Sequence, residues 1–211
     1  MGNVILDISM SLDGFVAGPN ASLDEPLGEN GMRLHDWVFN LRSWRERHGL
    51  GGGEGGPDDD IVREGIESTG AEILGRRMFS SGSGPWEDDP NANGWWGDDP
   101  PFDMPVFVLT HHARPPLTLA GTTFTFVTEG VEAAVEQARA AAGDKDVKIG
   151  GGADVAQQVL AAGLLDELSI HVAPILLGGG VRLFGDGELT QVELVDVRSS
   201  PAVTHLRYRV R

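Results

Sequence analysis

The sequence contains no cysteine among its 211 residues. This absence excludes disulfide frameworks, thiolate metal sites, iron–sulfur ligation and cysteine nucleophiles. It is compatible with a reducing compartment, and we predict a cytoplasmic protein. Any catalysis therefore has to come from carboxylates, histidines, hydroxyls or a bound cofactor.

Positive charge is also scarce. Sixteen Lys and Arg residues stand against 32 Asp and Glu residues, which gives a net charge of -16. Such a chain is repelled by phosphate backbones and by anionic lipid surfaces. We predict a small-molecule partner, and neither a nucleic-acid nor a membrane partner.

Long hydrophobic runs are missing as well. No stretch approaches the ~20 apolar residues that a membrane-spanning helix needs. The first ten residues, MGNVILDISM, lack the basic and apolar regions of a signal peptide. The length suits one substantial core, so we predict a single domain over residues 1–211.

Strand and helix patterns alternate along much of the chain. Alternating or short apolar runs predict strands over 4–11, 71–74, 106–110, 123–128, 147–149, 167–174 with 175–177, 191–198 and 203–211. Helical spacing predicts helices over 33–47, 61–68, 131–142 and 153–162. This order predicts an α/β fold with a mostly parallel sheet and an antiparallel C-terminal hairpin.

Three segments have no period of either kind and are predicted as loops: residues 15–19, 49–56 and 80–103. The last of these carries Trp86, Trp95 and Trp96. Asp58, Asp59 and Asp60 are interpreted as the N-cap and acidic first turn of a helix rather than as metal ligands. We predict no metal site.

The strongest local signal is Gly150, Gly151 and Gly152, which lie between a predicted strand and a predicted helix that begins with Ala153 and Asp154. Backbone N–H groups and the helix dipole favour an anion at such a turn. A tight connection without a ligand explains the pattern equally well.

Two further signals follow predicted strands, where open α/β folds place their ligands. The first is Gly75 with Arg76 and Arg77, because a guanidinium binds phosphate well. A solvated surface pair is the alternative. The second is Thr110 with His111.

Several catalytic signatures are absent from the sequence. It has no G-x-S-x-G, no Walker motif, no H-E-x-x-H and no G-x-G-x-x-G after the first strand. These absences argue against a serine hydrolase, an NTPase, a zincin and an ordinary Rossmann dinucleotide site.

Taken in order, these motifs resemble one known family. They are SLDGFVAG at 11–18, GRR at 75–77, VLT at 108–110, IGGG at 149–152, GLLDEL at 163–168 and PILLGGG at 174–180. The chain resembles the dihydrofolate-reductase-like reductases related to the C-terminal domain of the bifunctional riboflavin-biosynthesis deaminase-reductase. The resemblance runs from Val4 to Arg211. Nothing in the chain resembles the deaminase half.

The resemblance implies a three-layer α/β/α sandwich that binds NADPH across the carboxyl edge of its sheet. By position, Gly75, Arg76 and Arg77 would contact the adenosine phosphates, and Thr110 and His111 would flank them. The turn at 150–152 with Ala153 and Asp154 would hold the pyrophosphate, and Ala17 and Gly18 would line the nicotinamide. The resemblance also implies a homodimer.

The implied reaction is hydride transfer to a small heterocyclic or phosphoribosyl substrate, such as 5-amino-6-(5-phosphoribosylamino)uracil. A pterin reductase, an orphan small-molecule reductase and a non-catalytic nucleotide-binding protein are the alternatives. Asp13 is the most plausible catalytic residue, although an Asp-Gly turn is as often structural. Trp37 and Trp86 could stack on a substrate ring or pack in the interior.

Overall fold

A nine-stranded β-sheet is the centre of the computed structural model, which describes residues 2–185 and 189–211. The described residues form eleven strands, nine of them in this sheet: β1 (Val4–Ser11), β2 (Phe15–Ala17), β3 (Thr69–Gly75), β4 (Pro105–Leu109), β5 (Leu117–Leu119), β6 (Thr122–Val127), β7 (Asp146–Gly151), β8 (Glu167–Ala173), β9 (Val181–Arg182), β10 (Val192–Ser199) and β11 (Thr204–Val210). The helices are α1 (Arg42–Arg47), α2 (Pro57–Ser68), α3 (Arg76–Ser80), α4 (Val131–Ala142) and α5 (Ala153–Ala161), with 3₁₀ helices at Gly31–His35 and Trp86–Asp88.

The strand order in the large sheet is β10-β11-β8-β1-β7-β3-β4-β6-β5. Strands β8 through β6 in this order run parallel, whereas β5, β11 and β10 pair antiparallel. Strands β2 and β9 form a small antiparallel sheet of their own. The predicted mostly parallel sheet with antiparallel C-terminal strands is confirmed.

The two faces of β1 differ in chemistry because successive side chains point to opposite sides of a strand. Val4 and Leu6 are buried in the larger apolar core, and Ile8 and Met10 pack against it. The other face carries Asp7, Ser9 and Ser11 along with Ile5. Strand β1 therefore presents an apolar face to one side of the sheet and a mostly polar face to the other.

Helices α4 and α5 cover the apolar face. In α4 the buried residues recur at helical spacing and are mostly alanine, which lets the helix lie close to the sheet: Val131, Ala134, Val135, Ala138 and Ala142. The prediction of a helix over 131–142 is confirmed.

The opposite face is covered by the segment 31–68. Trp37 donates a hydrogen bond from Nε1 to Ser9 Oγ on β1 at 3.1 Å, and Asp58 at the start of α2 reaches His205 on β11. Helices thus lie on both sides of the sheet, which confirms the three-layer α/β/α sandwich. Among the described residues no helix is long and apolar enough to cross a membrane.

The prediction of one helix over 33–47 is wrong. Leu34, Val38 and Leu41 are buried as their spacing indicates, but the chain turns repeatedly between the 3₁₀ helix and α1. The backbone hydrogen bonds explain the break, because Asn40 and Arg42 pair with Glu54 rather than continuing a helical ladder. Apolar spacing identified the buried side chains and not the continuity of the helix.

Smaller corrections concern turns and short strands. The segment 15–19 contains β2, whereas 175–177 is not a strand and leaves Leu176 71% exposed. Neither the helix α3, which begins at Arg76, nor the strand β5 was predicted. The residue that caps α2 is Gly56, although Asp58, Asp59 and Asp60 do lie in its acidic first turn.

Replacing Leu6 with alanine tests the apolar face of β1. Leu6 is 1% exposed, so its loss should lower the free energy of unfolding by about 2–5 kcal/mol in urea titrations. Leu176→Ala removes the same atoms from a side chain that is 71% exposed and should change that free energy by less than about 0.5 kcal/mol. Equal effects of the two substitutions would contradict the assignment of the core.

Candidate active site

The predicted cofactor residues meet at the carboxyl edge of the parallel strands. Gly75 ends β3, Thr110 follows β4, and Gly151 ends β7. Strands β3 and β7 are neighbours, and a Cβ atom built on Gly75 would lie 3.6 Å from the backbone N of Gly152. The structure therefore brings together residues from separate parts of the sequence.

The three glycines at 150–152 have different roles. A Cβ atom on Gly150 would lie 2.1 Å from Glu72 Oε1, so this position has to be glycine for Glu72 to be buried there. Gly151 has a φ of 134°, which L side chains rarely adopt. The Gly151–Gly152 peptide bond is cis. Gly152 alone faces open space, since a Cβ atom there would have no described atom within 4 Å.

The open space at Gly152 lies at the N-terminus of α5, of which Gly152 is the N-cap residue. The first N–H groups of a helix have no partner within the helix, and its dipole places partial positive charge there. Ala153 is buried behind this opening, and Asp154 is exposed in the first turn. The arrangement suits an anionic group approached through Gly152.

Arg76 and Arg77 have opposite environments. The guanidinium of Arg76 is buried 3.5 Å from the ring centroid of Trp86, and its Nη2 lies 2.5 Å from the carboxylate of Asp89. Its Nε and Nη1 have no hydrogen-bond partner among the described groups. Arg77 is exposed. Only Arg77 projects into solvent, so the alternative of a solvated surface pair does not hold for Arg76.

Trp86 belongs to an aromatic cluster rather than to an open pocket. Its indole lies between the guanidinium groups of Arg76 and Arg114, and its Nε1 donates a hydrogen bond to the His112 carbonyl at 2.6 Å. The ring also packs edge-on against Phe126. These contacts give Trp86 a structural role beside the predicted phosphate site.

Thr110 and His111 lie beside this cluster. The buried hydroxyl of Thr110 accepts a hydrogen bond from the His112 backbone N–H at 3.1 Å and so holds the turn after β4. His111 is exposed at the same turn. Of this pair, the imidazole of His111 is the group that a ligand can reach.

Asp13 links two loops at the carboxyl edge. Its carboxylate accepts hydrogen bonds from Ser11 Oγ at 2.6 Å, from the Leu177 N–H at 3.1 Å and from the Gly178 N–H at 2.7 Å. The hydrogen bond from Ser11, followed by those from the two backbone groups, lowers the pKa of Asp13 to about 2. An ionised carboxylate with these partners is suited to holding the loops together and poorly suited to donating a proton.

Ala17 and Gly18 lie where β2 leaves the edge. The Gly18 N–H donates to the Leu27 carbonyl at 2.7 Å, and a Cβ atom on Gly18 would lie 2.0 Å from the Glu29 carbonyl oxygen. Gly180 packs equally closely against the Ala17 carbonyl oxygen. Gly18 thus permits the backbone to pass close to that of Glu29, and the neighbouring Ala17 is half-buried.

Sequence reasoning missed the polar face of the sheet. Asp7 on β1, His171 on β8 and His205 on β11 point to this face, where Trp37 packs on both imidazoles with ring centroids 5.0 and 5.1 Å away. Burial opposes ionisation of Asp7, but the charge and hydrogen bond of His171 outweigh it and lower the pKa of Asp7 to about 2. The signal in the sequence was a carboxylate inside a predicted strand and a histidine inside each of two others.

A second buried charge lies on the same face. Glu72 on β3 is 3% exposed and forms an ion pair with Lys148 on β7 at 3.1 Å, while Arg47 lies 4.0 Å away. The register places Glu72 beside Lys148 on adjacent strands. A polar layer therefore runs under the segment 31–68, from Glu72 to His205, and leads towards the glycine edge.

The three aspartates at the start of α2 point in different directions. Asp58 bonds His205, Asp59 accepts a hydrogen bond from the Ser43 N–H at 2.7 Å, and Asp60 pairs with Arg63 at 2.6 Å. Throughout residues 2–185 and 189–211 no group of three His, Asp or Glu side chains is placed to hold a metal ion.

The residues at the carboxyl edge fit a dinucleotide. The opening at Gly152 can admit a pyrophosphate to the N-terminus of α5, and Arg77 and His111 lie at exposed positions for a terminal phosphate. Arg76 lies buried beside this edge, where Asp89 and Trp86 hold its guanidinium. The polar layer beside it offers partners to a substrate that carries hydrogen-bonding groups.

Comparisons with known proteins identify the family. A family model described as the RibD C-terminal domain matches residues 3–206, so the chain belongs to this family of riboflavin biosynthesis reductases. The resemblance seen in the sequence is thereby confirmed. No curated protein matches the chain.

Solved structures share the fold. A protein from Shewanella sp. PV-4 assigned to riboflavin biosynthesis superposes with a TM-score of 0.67 at 22% identity and 99% coverage of each chain. RibD from Acinetobacter baumannii gives 0.63 at 20% identity, with all of this chain and 58% of that one covered. The deaminase and 5-amino-6-(5-phosphoribosylamino)uracil reductase of Thermotoga maritima gives 0.60 at 13% identity, with 100% and 57% covered.

The pKa of Asp13 predicts an acid-dependent contribution to stability. Because the folded-state pKa of about 2 lies below the ordinary 3.8, this carboxylate stabilises the fold above pH 3.8 and loses that effect as the pH falls towards 2. Asp13→Asn should therefore lower the urea midpoint at neutral pH, and its difference from the unsubstituted protein should shrink in acid. Asp24→Asn, at an exposed position, is the control. A difference that stays constant with pH would contradict the assigned role.

Proposed function

We propose that this protein is an NADPH-dependent reductase that transfers a hydride to a small heterocyclic or phosphoribosyl substrate. The observation that carries the proposal is the opening at Gly152, where the N-terminus of α5 meets the end of β3 at the carboxyl edge of a parallel sheet. Ligands of open α/β folds bind at such edges. The family match supports reduction as the type of reaction.

The pyrophosphate would lie against Gly151, Gly152 and the first N–H groups of α5. The 2′-phosphate would lie at Arg77, whose side chain is exposed and free of the buried contacts that engage Arg76. A guanidinium at this position would favour NADPH over NADH by charge-assisted hydrogen bonding. Ala17 would contribute to the nicotinamide end.

The substrate would occupy the polar face next to the glycine edge. Trp37 offers an indole ring for a heterocycle, and Ser9 and Lys148 offer hydrogen-bonding groups on the adjacent strands. Bound reduced nicotinamide supplies the hydride, and the contribution of the protein is to hold the two reactants together. Asp13 is assigned to holding the loops of this edge rather than to proton transfer.

Because the Thermotoga maritima relative is a 5-amino-6-(5-phosphoribosylamino)uracil reductase, that compound is the first substrate to test. NADPH oxidation should be followed at saturating cofactor with this compound, with dihydropterins and with no substrate. Turnover of the phosphoribosyl compound alone would support riboflavin-type reduction. Turnover of pterins alone would move the assignment to pterin reduction, and tight NADPH binding with no turnover would leave an orphan reductase or a binding protein.

Arg77→Ala tests the selection of the cofactor. Loss of one exposed charge-assisted contact should weaken NADPH by about 1–2 kcal/mol and leave NADH unchanged. Calorimetric titration with each nucleotide measures the two effects. Arg63→Ala removes an exposed arginine on α2, outside the predicted cofactor residues, and should change neither affinity. Equal weakening of both nucleotides would rule out a 2′-phosphate role for Arg77.

Gly152→Val tests the pyrophosphate position. The backbone at Gly152 is extended and no described atom lies within 4 Å of the new Cβ, so the fold should be kept while the side chain fills the opening. Binding of both NADPH and NADH should be lost with little change in the melting temperature. Gly84→Val, which also meets no neighbour, is the control for adding a side chain. Nucleotide binding that survives Gly152→Val would place the pyrophosphate elsewhere.

A further inference from the structure

Two buried imidazoles face each other on the polar side of the sheet. His171 and His205 are directly opposite in the antiparallel pair of β8 and β11, and each is 5% exposed. Their Nδ1 atoms are 2.7 Å apart, which is hydrogen-bond distance. At its other end, His171 Nε2 lies 3.3 Å from Asp7 Oδ1, and His205 Nε2 lies 3.3 Å from Asp58 Oδ1.

The number of hydrogen bonds fixes the number of protons in this chain of four groups. Three links join Asp7, His171, His205 and Asp58, and each link needs one hydrogen. Two neutral imidazoles carry only two N–H groups, and ionised carboxylates carry none. Filling all three links therefore requires one proton more than two neutral histidines provide. Both Nε2 atoms would then donate to the carboxylates, and the two Nδ1 atoms would share the third hydrogen.

The charges around the pair are consistent with a single positive charge. Burial and then the charge of His171 lower the pKa of His205, which disfavours a second proton on the pair. Burial, followed by the charge of His171, also lowers the pKa of His35 to about 4, so this neighbour is neutral at pH 7. Asp7 is ionised.

The positive and negative charges of more distant side chains nearly balance one another. Lys148 on β7 and Arg47 on α1 contribute positive charge towards Asp7. Glu72 on β3 contributes negative charge next to both of them. Beyond His205, a cavity reaches solvent and is bordered by two further cations, Arg198 and Arg207, and by three further carboxylates, Glu64, Asp146 and Asp196. Neither sign dominates this surrounding, so the two bonded carboxylates are the main stabilisers of the extra proton.

Trp37 is the aromatic residue in contact with both imidazoles. Its indole is tilted 49° from the ring of His171 and 76° from that of His205, and its Nε1 donates a hydrogen bond to Ser9. The face of an indole attracts a cation, and this attraction is larger where water is excluded. A charged pair therefore fixes the ring more firmly than a neutral pair does.

We propose that the His171–His205 pair carries one extra proton at neutral pH and in that state positions Trp37 against the heterocyclic ring of the substrate. The part that concerns substrate rests on the proposed function, whereas the proton count does not. His171 and His205 are positioning residues, and their loss of the proton leaves one link with two facing lone pairs. Trp37 then loses its orientation, and KM for the substrate rises with pH.

Asp58→Asn tests the proton count directly. The asparagine amide can donate to His205 Nε2, so the chain of hydrogen bonds is complete with two neutral imidazoles. In nitrogen-15 spectra of histidine-labelled protein at neutral pH, three of the four ring nitrogens of His171 and His205 should be protonated, falling to two in Asp58→Asn. Asp60→Asn, two residues along the same helix, should leave three. Two protonated nitrogens in the unsubstituted protein, or three in Asp58→Asn, would overturn the proposal.

His205→Gln keeps the proposal testable should Asp58→Asn fail to fold. A glutamine amide can donate to His171 Nδ1, so His171 should become a neutral imidazole that is protonated at Nε2 only. A His171 that stays protonated at both nitrogens in this variant would count against a shared proton.

Kinetics test the role in positioning Trp37. At saturating NADPH, KM for the substrate that accepts the hydride should rise about three- to tenfold as the His171–His205 pair loses its proton, with a smaller change in kcat. Asp58→Asn should show the raised KM at all pH values, and its affinity for NADPH should be unchanged. A KM that does not change with pH, together with normal NADPH binding, would overturn the positioning role. Failure to bind NADPH would instead refute the proposed function and leave the proton count standing.

Discussion

The structure depends on the position of β1 inside the sheet, with parallel neighbours on both sides. A strand that is covered on both faces usually carries apolar residues on both. Here one face is apolar and packs under α4 and α5, and the other carries Asp7, Ser9 and Ser11. These polar groups need partners in the interior: Trp37 bonds Ser9, His171 bonds Asp7, and buried Ser11 bonds Asp13 and the Phe15 N–H.

That constraint explains why the two helical layers are so different. The layer on the apolar face is two regular helices rich in alanine, which approach the sheet closely. The layer on the polar face is a 3₁₀ helix, turns and two helices, and individual hydrogen bonds such as Trp37 to Ser9 and His205 to Asp58 hold it to the sheet. Each polar side chain on this face of the sheet needs its own hydrogen-bond partner, and the backbone that supplies these partners is therefore irregular.

The sequence was sufficient to predict the sheet, the helix over 131–142 and the gathering of Gly75, Thr110 and Gly151 at one edge, because period and strand order determine these features. It was insufficient for the helix over 33–47, where the pairing of Asn40 and Arg42 with Glu54 is a contact between segments that no local pattern encodes. The same limit applies to Arg76, whose burial depends on Asp89 and Trp86 in an aperiodic loop. It applies also to Asp7, His171 and His205. Asp7 and His171 are 164 positions apart in the sequence, and these residues meet only because of the register between their strands.

The outermost strand of the sheet has a consequence of a different kind. Within the described part of the chain β10 pairs on one side only, with β11, and Leu194, Val195 and Val197 are all at least 42% exposed. An edge of this composition can template further strands, so its protection has to come from charge rather than from a covering element. Glu193, Asp196 and Arg198 interrupt the apolar residues, and the net charge of -16 makes two such edges repel each other. Colloidal stability is thus tied to ionised carboxylates, and acid or concentrated salt should weaken it before either affects the buried sheet.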